Sequence, residues 1–193
     1  MVTTRTSASL IGGVGLLERA VNYTLGSLHC VTPEALSHPT PCRDWDLGAL
    51  LRHLNESLLA LHEAIDIGQL DLDGAAPGLD GDPVAAVRDR ARRMLGAWTA
   101  GGRRSISVAG CPLTTSIVSG TGAVEIAVHG WDVAQACGEH RPIPQALAEE
   151  LLPLAALFVT TADRPVRFAP AVEVPALAGP SDRLIAFLGR HPG

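Results

Sequence analysis

Glu125 and His129 lie four positions apart in an apolar segment, 121–137, that is rich in small residues. On a helix this spacing places both side chains on one face, about one turn apart, where a carboxylate and an imidazole can share one metal ion. The apolar neighbours predict that the pair is buried, and buried charge needs a partner. The pattern leaves two interpretations open: a metal site, or two side chains that bond only to each other.

His53 is the best candidate for a third ligand. It lies in the middle of a Leu-rich segment, 46–67, beside the apolar stripe rather than opposite it. Small residues share its flank and leave room for a ligand: Ala49, Ser57, Ala60 and Ala64. His62 points about 180° away on the same helix and is predicted to lie at the surface. A half-buried histidine bonded to a backbone carbonyl is the alternative interpretation of His53.

The elements that must position these residues are predicted to be helices, because apolar residues recur at intervals of three to five along most of the chain. The predicted helices cover 11–30, 46–67, 83–100, 121–137, 142–162 and 182–189. Asp82 is the expected cap and Pro83 the first-turn proline of the third helix. Between the third and fourth helices, the alternation at 105–108 suits a short strand or an extended loop, and little packing is expected there.

Composition limits the class of protein. The chain has 193 residues, 47% of them hydrophobic, and all 15 basic residues are arginines in a chain of net charge −5. These values predict one globular domain over 1–193 and no broad basic surface for nucleic acid. The apolar run near the N-terminus is too short to span a membrane, so a cytoplasmic location is expected. Four cysteines without a CxxC pair are expected to be reduced thiols: Cys30, Cys42, Cys111 and Cys137.

Three motifs carry a resemblance to a known family. They are TPCRDWD at 40–46 leading into LLRHL at 50–54, then EIAVHGWDVA at 125–134, and DRLIAFLGR at 182–190. In order and spacing they resemble the bacterial DinB-like metal-binding bundles, in the branch of mycothiol-dependent maleylpyruvate isomerase N-terminal domains and mycothiol S-transferases. The resemblance implies an all-α fold, a DinB-like up-down four-helix bundle with extra short C-terminal helices.

The same resemblance implies that His53, Glu125 and His129 bind a divalent metal. Two imidazoles and one carboxylate suit Zn best, with Ni, Fe or Mn as alternatives, and they leave at least one coordination position open. Asp132 lies on the side of Glu125 and is either a residue that orients a ligand or an exposed aspartate.

Other side chains near these motifs receive structural interpretations. Trp45 and Trp131 are expected to be packing residues rather than substrate platforms. Cys42 is interpreted as a small apolar residue of a Pro-rich loop, although a nucleophile near a helix start is the alternative. Three arginines have two equal interpretations, as residues that hold anionic groups of a substrate or as solvated surface residues, and no role is assigned to them: Arg52, Arg103 and Arg104.

The resemblance implies thiol chemistry on a small-molecule substrate. A low-molecular-weight thiol such as mycothiol would be the co-substrate, and its thiolate would attack an electrophile. No sterol-carrier-like second domain of the kind found in maleylpyruvate isomerases follows the bundle, so that particular isomerisation is not expected. Two alternatives stay open. One is a Lewis-acid isomerase, cyclase or hydrolase that uses no thiol cofactor. The other is a non-catalytic protein, either one that binds a metal or small ligand or a bundle whose exposed face pairs with a second copy to form a homodimer.

Overall fold

A computed structural model of the chain describes residues 13–70, 81–164 and 167–192. The α-helices within these ranges are α1 (Gly13–Ser27), α2 (Leu47–Asp66), α3 (Pro83–Ala100), α4 (Thr115–Ala136), α5 (Gln145–Phe158) and α6 (Pro180–Phe187). Short 3-10 helices occupy Leu28–Cys30, Glu34–Ser37 and Thr161–Asp163. The predicted all-α class is therefore confirmed, including the extra helices that follow the bundle.

The first four helices form a closed ring around the core. Helix α1 packs against α4, α4 against α2, α2 against α3, and α3 returns to α1. The apolar stripe of α2 faces inward, and Leu50, Leu51 and Leu54 are completely buried. Burial of such stripes is the main source of stability in a bundle of this kind. The two later helices pack together, and α5 also packs against α4.

Local signals decide where α2 and α3 begin. The side chain of Asp46 accepts a hydrogen bond from the Ala49 amide at 2.7 Å, and Asp82 accepts one from the Val84 amide at 2.9 Å. Each carboxylate satisfies an amide that has no partner within its own helix. The predicted Asp82 cap with Pro83 at the start of the helix is therefore confirmed.

A small sheet lies beside the bundle and corrects one expectation. Its strands, in the order β1 (Gln69–Leu70), β2 (Ser105–Val108) and β3 (Cys111–Thr114), pair parallel and then antiparallel. The strand at 105–108 is confirmed, but β3 was not predicted because Pro112 gives its sequence the character of a loop. Proline is tolerated there because β3 lies at the edge of the sheet. The expectation of little packing is wrong, since Ile106 is 1% exposed.

Helix α4 begins at Thr115, six residues before the predicted start. The side chain of Thr114 caps it by accepting a hydrogen bond from the Ile117 amide at 3.4 Å. Most of α4 is buried on every side, so it has no apolar stripe whose first residue would mark the start of the helix. None of the helices in the described part of the chain combines the length and the apolar content that a membrane crossing requires.

Candidate metal centre

Two helices bring the three predicted ligands together. His53 projects from the middle of α2, and Glu125 and His129 project one turn apart from α4. Oε1 of Glu125 lies 2.7 Å from Nε2 of His53 and 3.1 Å from Nε2 of His129. The structure thus gathers the predicted residues into one cluster, and metal binding by the cluster stays a prediction.

The chemistry and spacing of the cluster fit a divalent ion. The three candidate ligand atoms all lie within 4.8 Å of one another. Nitrogen and oxygen ligands of zinc stand about 2 Å from the ion, so two such atoms are separated by about 3–4 Å when they share it. Two imidazoles and a carboxylate are also a donor set of catalytic zinc sites. Only small adjustments of the side chains are needed for them to bind a common ion.

The cluster is closed on one side and open on the other. The His129 side chain is 8% exposed, whereas those of His53 and Glu125 are 33% and 36% exposed. The rings of His53 and His129 meet nearly at right angles, with centroids 5.0 Å apart. The hydroxyl of Ser57 donates to Oε1 of Glu125 at 3.2 Å and helps to orient the carboxylate. A molecule from solvent can therefore approach the ligands from the side of His53 and Glu125.

Glu125 and His129 shift each other's pKa, because each stabilises the charged form of the other. Burial raises the pKa of Glu125, but the two neighbouring imidazoles outweigh this effect and hold that pKa well below its ordinary value. Burial lowers the pKa of His129, but Glu125 and Asp132 outweigh it and raise that pKa well above its ordinary value. The raised pKa of His129 favours its protonated form in the metal-free protein, and a metal on this imidazole would have to displace a proton.

Asp132 orients His129 from behind. It is completely buried, and its Oδ2 lies 2.9 Å from Nδ1 of His129. A proton held on Nδ1 by this carboxylate leaves Nε2 as the nitrogen that can bind a metal. The interpretation of Asp132 as an exposed aspartate is wrong, because the residue is buried, and its role in orienting a metal ligand stays a prediction that its contact with His129 supports. Burial raises the pKa of Asp132, but Arg190 and His129 outweigh it and lower that pKa to about 2.

Two further side chains meet at Asp132: Arg190, which no pattern in the sequence predicted, and Cys42. Arg190 Nε and Nη2 lie 2.8 and 2.7 Å from the two carboxylate oxygens of Asp132. The Cys42 thiol donates to Oδ2 of Asp132 at 3.2 Å, and its sulfur lies 3.8 Å from Nδ1 of His129. Cys42 lies in the loop and packs against the core, as its interpretation as a small apolar residue expects, but its thiol also contacts Asp132, which that interpretation did not include. Both residues occur in the quoted motifs, but no spacing rule connects them to Asp132.

Cys42, His129 and Asp132 form a second group whose candidate ligand atoms lie within 4.8 Å of one another. A cation between them would stand beside the guanidinium of Arg190, which contacts both Asp132 oxygens and lies 3.4 Å from the Cys42 sulfur. Repulsion from this buried positive charge disfavours a metal there. His53, Glu125 and His129 form the better candidate site.

Trp45 borders the open side of the cluster. Its ring centroid lies 4.8 Å from that of His53 and 6.4 Å from that of His129, and the residue is 36% exposed. A turn holds it, because the Trp45 amide donates to the Cys42 carbonyl and its own carbonyl accepts from the Thr40 amide, both at 3.1 Å. The expected role in packing is confirmed for Trp131, which is 5% exposed, whereas for Trp45, which is partly exposed beside His53, it stays a prediction.

Comparison with known proteins identifies the family. Residues 17–134, more than half of the chain, match the profile of the mycothiol maleylpyruvate isomerase N-terminal domain. Two proteins of Mycobacterium tuberculosis, from different strains and both named as uncharacterized, are each 26% identical to this chain over 181 residues. Each alignment covers 90% of this chain and 94% of the relative. The chain therefore belongs to the mycothiol maleylpyruvate isomerase N-terminal domain family, as its DinB-like metal-binding motifs indicated.

Proposed function

We propose that this chain is a metal-dependent transferase that activates a low-molecular-weight thiol of the mycothiol type for attack on an electrophile. The observation that carries the proposal is the one-sided exposure of the ligand cluster. His129 is 8% exposed, whereas His53 and Glu125 are 33% and 36% exposed. Catalytic metal sites keep a position open for substrate, whereas structural sites are closed by protein ligands. The family name supports mycothiol as the thiol.

His53, Glu125 and His129 would hold the metal, with zinc as the first candidate and nickel, iron or manganese as alternatives. A bound divalent ion supplies Lewis acidity, which favours the deprotonated form of a thiol. Ser57 keeps the Glu125 carboxylate in place, and Asp132 holds the Nδ1 proton of His129. These contacts orient the ligands before a substrate arrives, so that less reorganisation is needed during the reaction.

Trp45 would form one wall of the substrate site. Its ring covers His53 from the loop that precedes α2, and about a third of the residue stays accessible. An aromatic surface next to the open side favours the apolar part of an electrophile and excludes water from the reacting sulfur. In the transfer, the thiol loses its proton, sulfur bonds to the electrophilic carbon, and a leaving group departs with the electrons of the bond that breaks.

Metal analysis and a thiol titration test the proposal together. Purified, untagged protein is analysed for metals, the ion is replaced by cobalt, and mycothiol is added while the absorption spectrum is recorded. About one metal per chain and a new thiolate-to-cobalt charge-transfer band are expected. The titration is repeated on Cys42→Ser, because the Cys42 sulfur lies 3.8 Å from His129 and is a second source of such a band. A band that appears only on addition of mycothiol, in both proteins, supports the proposal.

The other outcomes separate the alternatives. Stoichiometric metal without a mycothiol-dependent band would contradict the thiol transferase and favour an enzyme that uses the metal as a Lewis acid on its substrate. A failure to bind metal even after reconstitution would contradict both metal enzymes. A non-catalytic ligand-binding bundle would then be the remaining proposal.

A further inference from the structure

Arg190 reaches the metal centre from the C-terminal end of the chain, outside the residues that match the family profile. It follows α6 and a turn at Gly189, whose φ is +80°. The amides of Gly189 and Arg190 donate to the carbonyls of Ala186 and Ile185 at 3.0 and 3.1 Å. A Cβ at position 189 would lie 2.6 Å from the Ala169 carbonyl oxygen. The turn therefore requires glycine, and it fixes the backbone from which Arg190 extends.

The guanidinium of Arg190 donates hydrogen bonds to both carboxylate oxygens of Asp132. Its Nε donates to Oδ1 at 2.8 Å and its Nη2 to Oδ2 at 2.7 Å, while Nη1 donates to the Leu188 carbonyl at 3.2 Å. The Arg190 side chain is 11% exposed and that of Asp132 is fully buried. Two parallel bonds to one carboxylate restrict its rotation much more than a single bond would.

Asp132 transmits this restriction to a candidate ligand. Its Oδ2 receives a bond from Arg190 and also lies 2.9 Å from Nδ1 of His129. The chain of contacts thus runs from Arg190 through Asp132 to His129, whose Nε2 faces Glu125 at 3.1 Å. Partners of this kind determine which imidazole nitrogen is free for a metal and in which direction the ring points.

We propose that Arg190 is a positioning residue of the metal centre: by fixing the Asp132 carboxylate it fixes His129 as a ligand, so the C-terminal segment completes the site. This inference rests on the metal-binding part of the proposed function. The competing explanation is that Arg190 only ties the C-terminal segment to the bundle, as an ion pair that stabilises the fold. The two explanations differ in what they predict for the metal affinity of folded protein.

Arg164 provides a matched control within the same segment. Its Nη2 donates to the Phe187 carbonyl at 2.6 Å, and its guanidinium lies 5.1 Å from the centroid of the Phe187 ring. It therefore anchors α6, as Arg190 does, and within the described residues its guanidinium donates to the backbone carbonyls of Ala169 and Phe187 rather than to Asp132. Arg164→Gln is expected to lower the thermal stability without changing the affinity for metal.

The experiment measures cobalt affinity by competition with a chromophoric chelator, at a temperature where circular dichroism shows each protein to be folded. Arg190→Gln is expected to weaken binding by about tenfold or more. Arg190→Lys keeps the positive charge but cannot form the two parallel hydrogen bonds to the Asp132 carboxylate, so a smaller loss of cobalt affinity, about threefold, is expected. It also serves as the test variant if Arg190→Gln does not fold. Nitrogen-15 spectra of the imidazoles should show a changed Nδ1 environment for His129 in either variant but not in Arg164→Gln.

Wild-type affinity in a folded Arg190 variant would overturn the inference. An equal loss in Arg164→Gln would also overturn it, because general loosening of the C-terminal segment would then explain the effect. These results leave the proposed function intact, since the wild-type protein binds the ion in both. Failure of wild-type protein to bind cobalt would instead overturn the proposed function, and this inference with it.

Discussion

At the scale of single residues, His53 and His129 are the side chains whose removal tests the candidate metal centre most directly. Each offers Nε2 to the same Glu125 oxygen, at 2.7 and 3.1 Å. His53→Ala and His129→Ala are each expected to lower metal affinity by about a hundredfold, because two protein ligands hold an ion much less firmly than three. Elemental analysis after dialysis measures the loss, and circular dichroism checks that the bundle still folds.

His62→Ala is the control for these variants. His62 lies on α2 as His53 does, but nine residues later and on another face. Its replacement should leave the metal content unchanged. Full retention of metal by both His53→Ala and His129→Ala would contradict the assignment of the site.

The pH dependence of the metal-free protein follows from the Glu125–His129 pair. His129 has a raised pKa in the folded protein, so its contribution to stability is complete below the ordinary value of 6.5 and is lost as the pH rises through the raised pKa. Glu125 has a lowered pKa, so its contribution is complete above the ordinary value of 4.5 and is lost as the pH falls through the lowered pKa. The pair should therefore stabilise the metal-free protein most between pH 4.5 and 6.5.

Above pH 6.5, the affinity for metal should rise while the stabilisation of the metal-free protein by the Glu125–His129 pair declines. The ion must displace the proton of His129, so its affinity is expected to rise with pH while the contribution of the pair to metal-free stability falls. Urea unfolding of metal-free protein and chelator competition, both from pH 5 to 9 in steps of about one unit, measure the two trends. His129→Ala serves as the reference without the pair. If the free energy of unfolding of the wild-type protein rose above pH 6.5 relative to that of His129→Ala, the expected protonation of His129 would be contradicted.

Trp45 is expected to act on the substrate rather than on the metal. Its ring lies beside His53 without offering a ligand atom, so Trp45→Ala should keep the metal content of the wild-type protein. Loss of an aromatic contact worth about 1 kcal/mol should weaken mycothiol or electrophile binding about fivefold. Titration of the cobalt form measures this change. Unchanged binding in Trp45→Ala would remove Trp45 from the substrate site.

At the scale of elements, the contact between α1 and α4 depends on a glycine next to a candidate ligand. Gly130 follows His129, and a Cβ at this position would lie 2.9 Å from Cα of Thr24 and would also meet its hydroxyl oxygen. That hydroxyl donates to the Ile126 carbonyl at 2.7 Å, which holds the two helices together. Gly130→Ala is therefore expected to push α1 away and to destabilise the protein by about 1–3 kcal/mol. Denaturant unfolding of the metal-free protein measures the change.

Gly96→Ala is the matched control for this substitution. Gly96 lies inside α3, and a Cβ there would meet no atom within 4 Å. Alanine restricts the unfolded chain and suits a helix better than glycine, so this variant should be more stable by about 0.5–1 kcal/mol. If Gly130→Ala behaved in the same way, the close approach of α1 and α4 would not limit the fold.

At the scale of the whole molecule, metal binding should stabilise the bundle, because the candidate ligands come from two different helices. An ion that binds only the folded chain, at a free concentration about a hundred times its dissociation constant, adds about 2.7 kcal/mol. For a protein of this size, that gain corresponds to a rise in Tm of about 5–11 °C. Thermal unfolding with and without zinc measures the rise, and a chelator should reverse it. In His129→Ala, zinc should raise the Tm only slightly. A rise equal to that of the wild-type protein would indicate that zinc binds elsewhere.

Local patterns in the sequence were sufficient to predict most of the helices. The predicted second helix, 46–67, and third helix, 83–100, agree with α2 and α3 to within a residue at each end. Their apolar stripes and capping aspartates act over a few residues, so neighbouring sequence contains the signal. The start of α4 could not be found in this way because that helix is buried on almost every side.

The sequence by itself determined that Glu125 and His129 share one face of a helix, since four residues make about one turn. The position of His53 on its predicted helix made it a candidate for the third ligand, and the resemblance to the family decided in its favour. Only the tertiary structure decided that Arg190 and Cys42 meet at Asp132, which lies 58 and 90 positions from them along the chain. It also decided that Trp45 borders the open side. Contacts between residues this far apart depend on how loops and helices pack, and no local pattern encodes that packing.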